Sequence, residues 1–373
     1  MNIKDFGVEM WMAKYENNAL YNIAETCVSS ITINELLEMS DIKDSAFDNI
    51  RKMKMTYGDI EGSLDLRREI CKLYQNIDIA NVTVTHGTIG ANALVYDVLI
   101  EPNDHTISVL PTYQQHYSIP ESLGANVDIL PLRWENNFIP DIDELKSLIK
   151  PNTKIISINN PNNPTGSVIG LDLLNQIVDV ARSVDAYVLC DEVYRGLDHV
   201  EGFTPSIVDL YEKGISTASL SKTFSLAGLR IGWVVGSKQF IEMANKRRDY
   251  NIISCGMIDD YLATIALKSK DKILARSLSI VRKNIEILDK WVNESKHLKY
   301  IRPKGGTTAF LKYSMDISSE ELCKDILDKT GVMLVPGKVL DMEGYIRIGY
   351  ANSEDILKKG LSKLTEYLET YWG

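Results

Sequence analysis

The chain has 373 residues, 45% of them hydrophobic and 25% charged, which is typical of a globular protein with about two domains of roughly 100–200 residues each. Its 41 Lys and Arg residues are outnumbered by 51 Asp and Glu residues without forming a basic stripe, which argues against nucleic acid as a partner. The five cysteines form no CxxC pair and the five histidines no HExxH motif, so the sequence predicts reduced thiols and no metal centre.

The N-terminal residues lack the apolar segment of a signal peptide, and no run of about 18 apolar residues occurs in the sequence. We therefore expect a soluble, cytoplasmic protein that does not bind a membrane. The GxGxxG, Walker A and GxSxG motifs are also absent. Their absence argues against the usual dinucleotide, nucleoside triphosphate and serine-hydrolase sites.

Residues 1–43 are mixed in character and are not expected to form a core of their own. Helices are predicted at Ile33–Met39 and, after a glycine-punctuated loop, at Leu64–Tyr74. From Val82 onward, apolar strands alternate with helical stretches. The predicted strands are Val82–Thr85, Thr106–Leu110, Val127–Leu130, Lys154–Ile158, Tyr187–Cys190 and Ala218–Leu220. Their nearly continuous apolar character predicts an α/β fold with a mainly parallel sheet buried on both faces.

After Gly236 the pattern changes to long helices and then to a short α+β tail. The tail contains predicted strands at Ala309–Leu311, Val332–Val335 and Tyr345–Gly349, and its last helix is expected to begin near Ser353. We predict a large domain over residues 44–268 and a smaller domain formed by residues 1–43 and 269–373.

Polar or glycine-rich segments follow several predicted strands, where ligands collect in parallel sheets. These segments are HGTIGA from His86, PTY from Pro111, NNPNNPTG from Asn159, DEVY from Asp191 and SLSKTFSLAGLRIGW from Ser219. Taken alone, each also suits a structural role such as a tight turn, a core aromatic, a solvated strand end or a helix cap.

Lys222 in the last of these segments has a second cation, Arg230, eight residues later. We expect such a lysine at the end of an apolar strand to be disfavoured as an ammonium. More of it would then be present as the free amine that Schiff-base chemistry requires.

The order of these motifs, with YGDIEG before them and RIGYAN near the end, resembles one family over essentially the whole length. The chain resembles the class I/II aminotransferases of fold type I, which use pyridoxal 5′-phosphate (PLP). The resemblance implies a large domain with a seven-stranded sheet, a smaller α+β domain and a homodimer.

The resemblance also implies roles for individual residues. Lys222 would bind PLP as a Schiff base and move the proton at the substrate Cα, and Asp191 would pair with the pyridinium nitrogen. Asn163 and Tyr194 would hydrogen-bond to the ring 3-oxygen, and Tyr113 would stack on the ring.

The remaining implied contacts concern the phosphate and the substrate. The phosphate would be bound by the turn at Gly87 through the backbone of Thr88 and Ile89, by Ser219 and Arg230, and by Tyr57 from the second subunit. Arg347 would bind the substrate carboxylate, with Asn163 beside it.

The substrate side chain is indicated by two further segments. Tyr21–Glu25 is similar to the equivalent stretch of capreomycidine synthase and PLP-dependent arginine oxidases, which implies that Glu25 contacts a cationic or polar side chain. Family members that take dicarboxylic substrates present an arginine to the partner subunit from the segment that corresponds to Arg247–Ile252 of this chain. Presentation of Asp249 instead would disfavour acidic substrates.

Three functions fit these motifs. The first is transfer of an amino group between an L-amino acid and a 2-oxo acid. The second keeps the site but makes the enzyme a lyase, cyclase or oxidase acting on an amino acid such as arginine or a derivative. The third, a regulatory domain that binds the cofactor without turnover, is weakened by the intact Lys222 and by the absence of a DNA-binding module.

Overall fold

The computed structural model describes residues 3–199 and 203–372, and within these ranges it contains thirteen α-helices and thirteen strands. The helices are α1 Gly7–Tyr15, α2 Ile33–Met39, α3 Lys43–Lys52, α4 Leu64–Cys71, α5 Gly87–Leu99, α6 Gln115–Ser122, α7 Ile142–Leu148, α8 Leu171–Ser183, α9 Lys238–Arg248, α10 Met257–Lys268, α11 Lys270–Glu294, α12 Ser319–Thr330 and α13 Glu354–Trp372. The strands are β1 Tyr21–Asn22, β2 Val82–His86, β3 His105–Leu110, β4 Asn126–Pro131, β5 Thr153–Asn159, β6 Tyr187–Asp191, β7 Gly214–Ser219, β8 Ile231–Val235, β9 Leu298–Tyr300, β10 Thr308–Tyr313, β11 Val332–Met333, β12 Val335–Pro336 and β13 Tyr345–Gly349.

A seven-stranded sheet with the order β2-β8-β7-β6-β5-β3-β4 forms the centre of the described chain. Its strands are parallel except for β8, which runs antiparallel to both β2 and β7. The predicted α/β fold with a mainly parallel sheet is therefore confirmed. Strand β8 is the one member that was not predicted, because its apolar run directly continues the lysine motif.

The alternation of side chains along β6 explains why the strands read as continuously apolar. Val188 and Cys190 contribute to one hydrophobic layer, and Leu189 between them contributes to the opposite layer beside α5 and α9. A strand covered by helices on both faces has no solvent side, so polar alternation is lost.

The predicted strand ends agree with β2–β6 to within one residue, but β7 begins at Gly214 rather than at Ala218. Its first half contains hydroxyl residues, which weaken the apolar signal. These hydroxyls are nevertheless buried, because Ser216 Oγ donates to Glu192 Oε2 at 2.8 Å and Thr217 Oγ1 donates to Asn92 Oδ1 at 2.6 Å.

A second, antiparallel sheet has the order β12-β13-β10-β9. The predicted strand Val332–Val335 is wrong as one element, because β11 pairs with β1 while β12 pairs with β13. The change occurs at Leu334, whose carbonyl accepts a 2.8 Å hydrogen bond from Trp11 Nε1. The N-terminal segment thus forms a separate two-stranded parallel sheet with β11, beside the antiparallel sheet. The domain limits at 43/44 and 268/269 stay a prediction.

The last helix, α13, begins one residue after the predicted cap. Ser353 Oγ accepts a hydrogen bond from Ile356 N at 3.4 Å, which is the N-cap contact expected from the sequence. In the part of the chain that the structure describes, no helix combines the length and apolarity needed to cross a bilayer.

The environment of the His199 side chain makes the stability of the fold depend on pH. Its Nε2 lies 2.7 Å from the hydroxyl of the buried Tyr350. Burial lowers the pKa of His199 from 6.5 to about 4, and the nearby Arg302 and Arg282 add to this effect. Because the folded pKa lies below the unfolded one, the unfolded chain binds the proton first as the pH falls.

We therefore expect His199 to cost the fold stability as the pH falls from about 6.5 towards 4, by about 3 kcal/mol in total. Urea unfolding of the wild type and of His199→Gln at several pH values measures this loss. The neutral Gln variant should lose less stability across that window. Identical slopes for both proteins would contradict the prediction.

Candidate active site

A cavity of ≈ 290 Å³ lies at the carboxyl ends of β2, β5, β6 and β7, and β13 and the N-terminal segment close it from the other side. Its walls contain the predicted site residues Glu25, Thr88, Ile89, Tyr113, Asn163, Asp191, Tyr194, Ser219, Lys222, Arg230 and Arg347. Residues from both sheets are thus brought to one place.

Asp191, the last residue of β6, is a carboxylate that is only 3% exposed. Its Oδ1 accepts a 3.1 Å hydrogen bond from Val193 N, and its Oδ2 accepts a 2.9 Å hydrogen bond from Asn92 Nδ2. His116 Nε2 lies 3.4 Å from Oδ2. The hydrogen bonds from Val193 N and Asn92 compensate part of the cost of burying the charge, and a cationic ring nitrogen in the cavity would add to them.

The groups behind Asp191 were not predicted. The hydroxyl of Tyr96 lies 3.0 Å from His116 Nδ1 and 2.7 Å from Ser157 Oγ, so the imidazole is oriented by two further elements. The sequence offers one signal for this network: Asn92 is a polar residue on the buried side of α5, next to Ala91.

An anion site is formed where α5 begins. Gly87 opens the helix directly after β2 without a side-chain cap, and Thr88 Oγ1 is buried without a hydrogen-bond partner among the described residues. A Cβ on Gly87 would lie 2.9 Å from Arg230 Nη2, and Ser219 lies at the end of β7 nearby. Free helix N–H groups, hydroxyls and a guanidinium together suit a phosphate dianion.

Lys222 lies between this anion site and the N-terminal segment. Its Nζ donates hydrogen bonds to Thr26 Oγ1 at 2.7 Å and to Cys27 Sγ at 3.3 Å. Burial alone would lower its pKa, but Cys27, Tyr194 and Glu25 outweigh burial and raise the pKa above its usual value. The expectation that a second cation disfavours the ammonium is therefore wrong in this structure, because the Glu25 carboxylate and the polar groups of Cys27 and Tyr194 lie near the amine.

Arg347 on β13 is 2% exposed and is only partly paired. Its Nη1 donates to Asn163 Oδ1 at 3.2 Å and its Nη2 to the Ala24 carbonyl at 3.0 Å. Its Nε has no hydrogen-bond partner within residues 3–199 and 203–372. A buried guanidinium with an unused donor on the cavity wall suits a carboxylate ligand.

The Tyr113 ring is fixed by α1. Its hydroxyl donates to Glu9 Oε1 at 2.7 Å, and the Phe6 ring lies 4.8 Å away between centroids. Tyr194 is 3% exposed, and burial raises its pKa, against the opposing effect of Lys222. Both rings therefore have fixed positions on the cavity wall.

The Glu25 carboxylate already accepts hydrogen bonds from its own segment. Its Oε1 accepts hydrogen bonds from Thr26 N at 2.9 Å and Cys27 N at 3.1 Å. Burial would raise its pKa, but Lys222 and the hydrogen bonds from Cys27 and Thr26 lower it, so Glu25 is an anion beside the amine.

Two further carboxylates, Glu9 and Glu16, line the cavity and were not predicted. Val8, Met12 and Glu16 are spaced by four residues, which places them on one side of α1 and the turn that follows it. No ion pair joins Glu9 or Glu16 to a cation within the described chain. The cavity therefore has an acidic wall in addition to the guanidinium of Arg347.

Three predicted features lie outside the cavity. Tyr57 is 76% exposed and is not part of the wall. Arg247 forms a two-pronged pair with Asp97, at 2.5 and 2.7 Å, while Arg248 is fully buried and donates to Thr83 Oγ1 at 2.7 Å. Asp249 is the exposed side chain that follows them.

These residues fit PLP. The unpaired Thr88 hydroxyl and the uncapped start of α5 suit its phosphate, Asp191 suits its ring nitrogen, and the Lys222 amine suits its aldehyde. A cavity that brings all three groups together is more specific than any one of them.

Comparisons with known proteins agree with this site. Residues 32–364 match the family model for aminotransferases of class I and II. Aspartate aminotransferase from Pyrococcus horikoshii is 30% identical over 340 residues, covering 88% of this chain and 87% of that protein. Capreomycidine synthase from Streptomyces vinaceus is 29% identical over 293 residues, covering 78% of this chain and 75% of that protein. A PLP-dependent aminotransferase structure from Streptococcus suis 89-1591 has 42% identity and a TM-score of 0.97, covering 100% of both chains.

The close approach of Gly232 to the anion site gives a prediction. A Cβ at this position would lie 2.3 Å from the Gly87 carbonyl carbon and 2.7 Å from Thr88 N. Gly232→Ala should therefore displace the start of α5. Because overpacking costs about 1–3 kcal/mol, we expect PLP affinity to fall by roughly 5- to 100-fold.

Titration of the apoenzyme with PLP measures this loss. Gly228→Ala is the matched control, because nothing lies within 4 Å of its added Cβ. Equal PLP affinity for both variants would show that the contact between Gly232 and Gly87 does not position the anion site.

Proposed function

The chain belongs to the class I and II aminotransferases, and from this premise we propose that it transfers the amino group of an L-amino acid with a cationic side chain to a 2-oxo acid. The family assignment makes the protein a PLP-dependent transaminase. The observation that supports the cationic substrate is the acidic wall of Glu9, Glu16 and Glu25 in a cavity that also contains Arg347.

We assign the cofactor contacts by residue. Asp191 would hold the ring nitrogen, Asn163 and Tyr194 the 3-oxygen, and Tyr113 one face of the ring. The Gly87 turn with Thr88 and Ile89, together with Ser219 and Arg230, would hold the phosphate, as the unpaired Thr88 hydroxyl supports. Bound there, PLP supplies an acceptor for the electrons left on the substrate Cα when its proton leaves.

The chain's own residues would bind the substrate and move its proton. Arg347 binds the α-carboxylate, and its unused Nε and the neighbouring Asn163 support this role. Lys222, with its amine in the same cavity, would take the proton from Cα and would return a proton to the carbon on the other side of the substrate nitrogen. The nearly complete burial of Asp191 keeps water from competing for its charge.

The side-chain specificity follows from charge. A distal ammonium or guanidinium on the substrate would pair with Glu9 or Glu16, which have no cationic partner in the described chain. Glu25 is less available, because Thr26 N and Cys27 N already donate to it. Arg247 is paired with Asp97 and Arg248 is fully buried, and this supports discrimination against acidic substrates.

We also propose the predicted domain division and a homodimer in which Tyr57 reaches the phosphate of the other subunit. The exposure of Tyr57 and its absence from the cavity of its own chain support this placement. Two stretches of the chain expose further large apolar side chains. Met55 and Ile60 lie near Tyr57, and Tyr250 and Ile253 follow α9. Such exposure is expected for a surface covered by a second copy.

A second candidate function uses the same site for a different reaction. The similarity to capreomycidine synthase favours a lyase, cyclase or oxidase acting on arginine or a derivative. The products separate the two candidates. Pyridoxamine phosphate and a 2-oxo acid support transamination, whereas ammonia without pyridoxamine phosphate, a cyclised product or hydrogen peroxide supports the second candidate.

Substrate choice is tested with a panel of amino acids in the first half-reaction. We expect L-arginine, L-lysine or L-ornithine to react faster than L-aspartate. Glu16→Gln and Glu9→Gln should each lower kcat/KM for the cationic substrate by roughly tenfold, the value of one charge-assisted hydrogen bond.

The matched controls for this prediction are a neutral substrate and a remote variant. Glu16→Gln should leave kcat/KM for L-methionine unchanged, and the exposed Glu101→Gln should affect neither substrate. Faster reaction of L-aspartate than of every cationic amino acid would rule out the proposed specificity.

The assignment of Lys222 is tested by removing its amine. Lys222→Ala should lower kcat by at least about 100-fold, because a positioned acid–base group contributes that much or more. Added methylamine should restore part of the activity. Unchanged turnover in Lys222→Ala would refute the assignment.

A further inference from the structure

The segment Glu25–Cys27 surrounds the Lys222 amine with three different polar groups. Nζ donates to the Thr26 hydroxyl at 2.7 Å and to the Cys27 sulfur at 3.3 Å, and the Glu25 carboxylate is attached to the same loop through Cys27 N and Thr26 N. The proposed transamination uses Lys222 and Glu25, but it assigns no task to Thr26 or Cys27.

The position of this segment is fixed by the second sheet. Gly349 N donates to the Ile23 carbonyl at 2.8 Å, and Thr307 Oγ1 donates to the Thr26 carbonyl at 2.7 Å. The Gly349 backbone approaches so closely that a Cβ there would lie 1.8 Å from the Glu25 carbonyl oxygen. Thr26 is also 8% exposed. The groups that contact Nζ are therefore held in place before the amine arrives.

The chemistry of this cluster favours a lysine that is free of the cofactor. A primary amine has two N–H donors, and the Thr26 hydroxyl oxygen and the Cys27 sulfur accept from both of them. A lysine bound to the cofactor aldehyde has given up these hydrogens. The contacts seen here therefore belong to the unbound state of Lys222.

We propose that Thr26 and Cys27 form a docking site that holds the Lys222 ε-amine whenever Lys222 is not bonded to the cofactor. When a substrate amine takes over the bond to the aldehyde carbon, its two protons pass to Lys222, which leaves as a primary amine. Docking keeps that amine close to the substrate Cα. The inference rests on the proposed role of Lys222 and does not depend on the substrate class.

Docking stabilises only the unbound lysine, so its loss should change PLP binding and amino acid binding in opposite directions. Attachment of PLP to Lys222 must break the docking contacts, whereas displacement of Lys222 by an amino acid restores them. Loss of the docking site should therefore strengthen PLP retention and weaken amino acid binding. A merely structural role would weaken both.

The test uses the holoenzymes of Cys27→Ala and Thr26→Val, with 2-aminoisobutyrate as the probe. This amino acid has no proton on Cα, so it displaces the lysine without turnover. We expect its dissociation constant, read from the visible spectrum, to rise roughly tenfold, as for loss of a hydrogen bond to a charged group. The PLP dissociation constant of the same variants should fall.

Two controls match these substitutions. Thr106→Val removes a buried hydroxyl on β3 that has no partner in the described chain, and Cys71→Ala removes a half-buried thiol on α4. Both should leave both constants unchanged. Thr26→Ser and Cys27→Ser keep a polar atom and should restore values close to those of the wild type.

Weaker PLP binding together with weaker probe binding would overturn the proposal, and so would an unchanged dissociation constant for the probe. If Thr26→Val does not fold, Cys27→Ala decides alone by the same criteria. Borohydride reduction followed by peptide mapping shows separately whether Lys222 carries the cofactor. A failure of that assignment is thus distinguishable from a failure of docking.

Discussion

The burial of the Asp191 carboxylate is the constraint on which the large sheet and its site depend. A buried carboxylate is costly unless donors surround it. Here the hydrogen bonds come from Asn92 on α5 and from the backbone after β6, and the His116 ring on α6 lies 3.4 Å from the carboxylate. Thr217 on β7 fixes Asn92. Four elements must therefore pack in register before this one charge is tolerated.

This arrangement links the fold to its chemistry. Carboxylates paired only with neutral donors and a histidine leave room for a further cationic group, which a protonated pyridine ring provides. The helix that supplies Asn92 also supplies the uncapped N–H groups at Gly87. One helix thus serves both ends of the cofactor site, about one and a half turns apart.

The second sheet and the N-terminal segment determine the electrostatics on the other side of the cavity. Arg347 on β13 contributes a buried cation, while Glu9, Glu16 and Glu25 contribute an acidic wall. Lys222 lies between them and is held by Thr26 and Cys27. The position of residues 6–27 therefore brings the acidic side chains and the groups that contact the Lys222 amine into the same cavity.

The sequence by itself determined where strands β2–β7 lie along the chain, because apolar runs bounded by turns are local signals. It also determined which residues end those strands, and hence that Thr88, Asn163, Asp191 and Ser219 meet at one rim. Only the tertiary structure decided what comes from distant segments: the donors Asn92 and His116 behind Asp191, the acidic wall on α1, and the division of Val332–Val335 between two sheets. It also overturned the expectation that Lys222 is disfavoured as an ammonium. Cys27 and Glu25, almost 200 residues earlier in the chain, lie beside its amine. Local periodicity carries no information about such contacts, since they depend on how the two sheets close over one another.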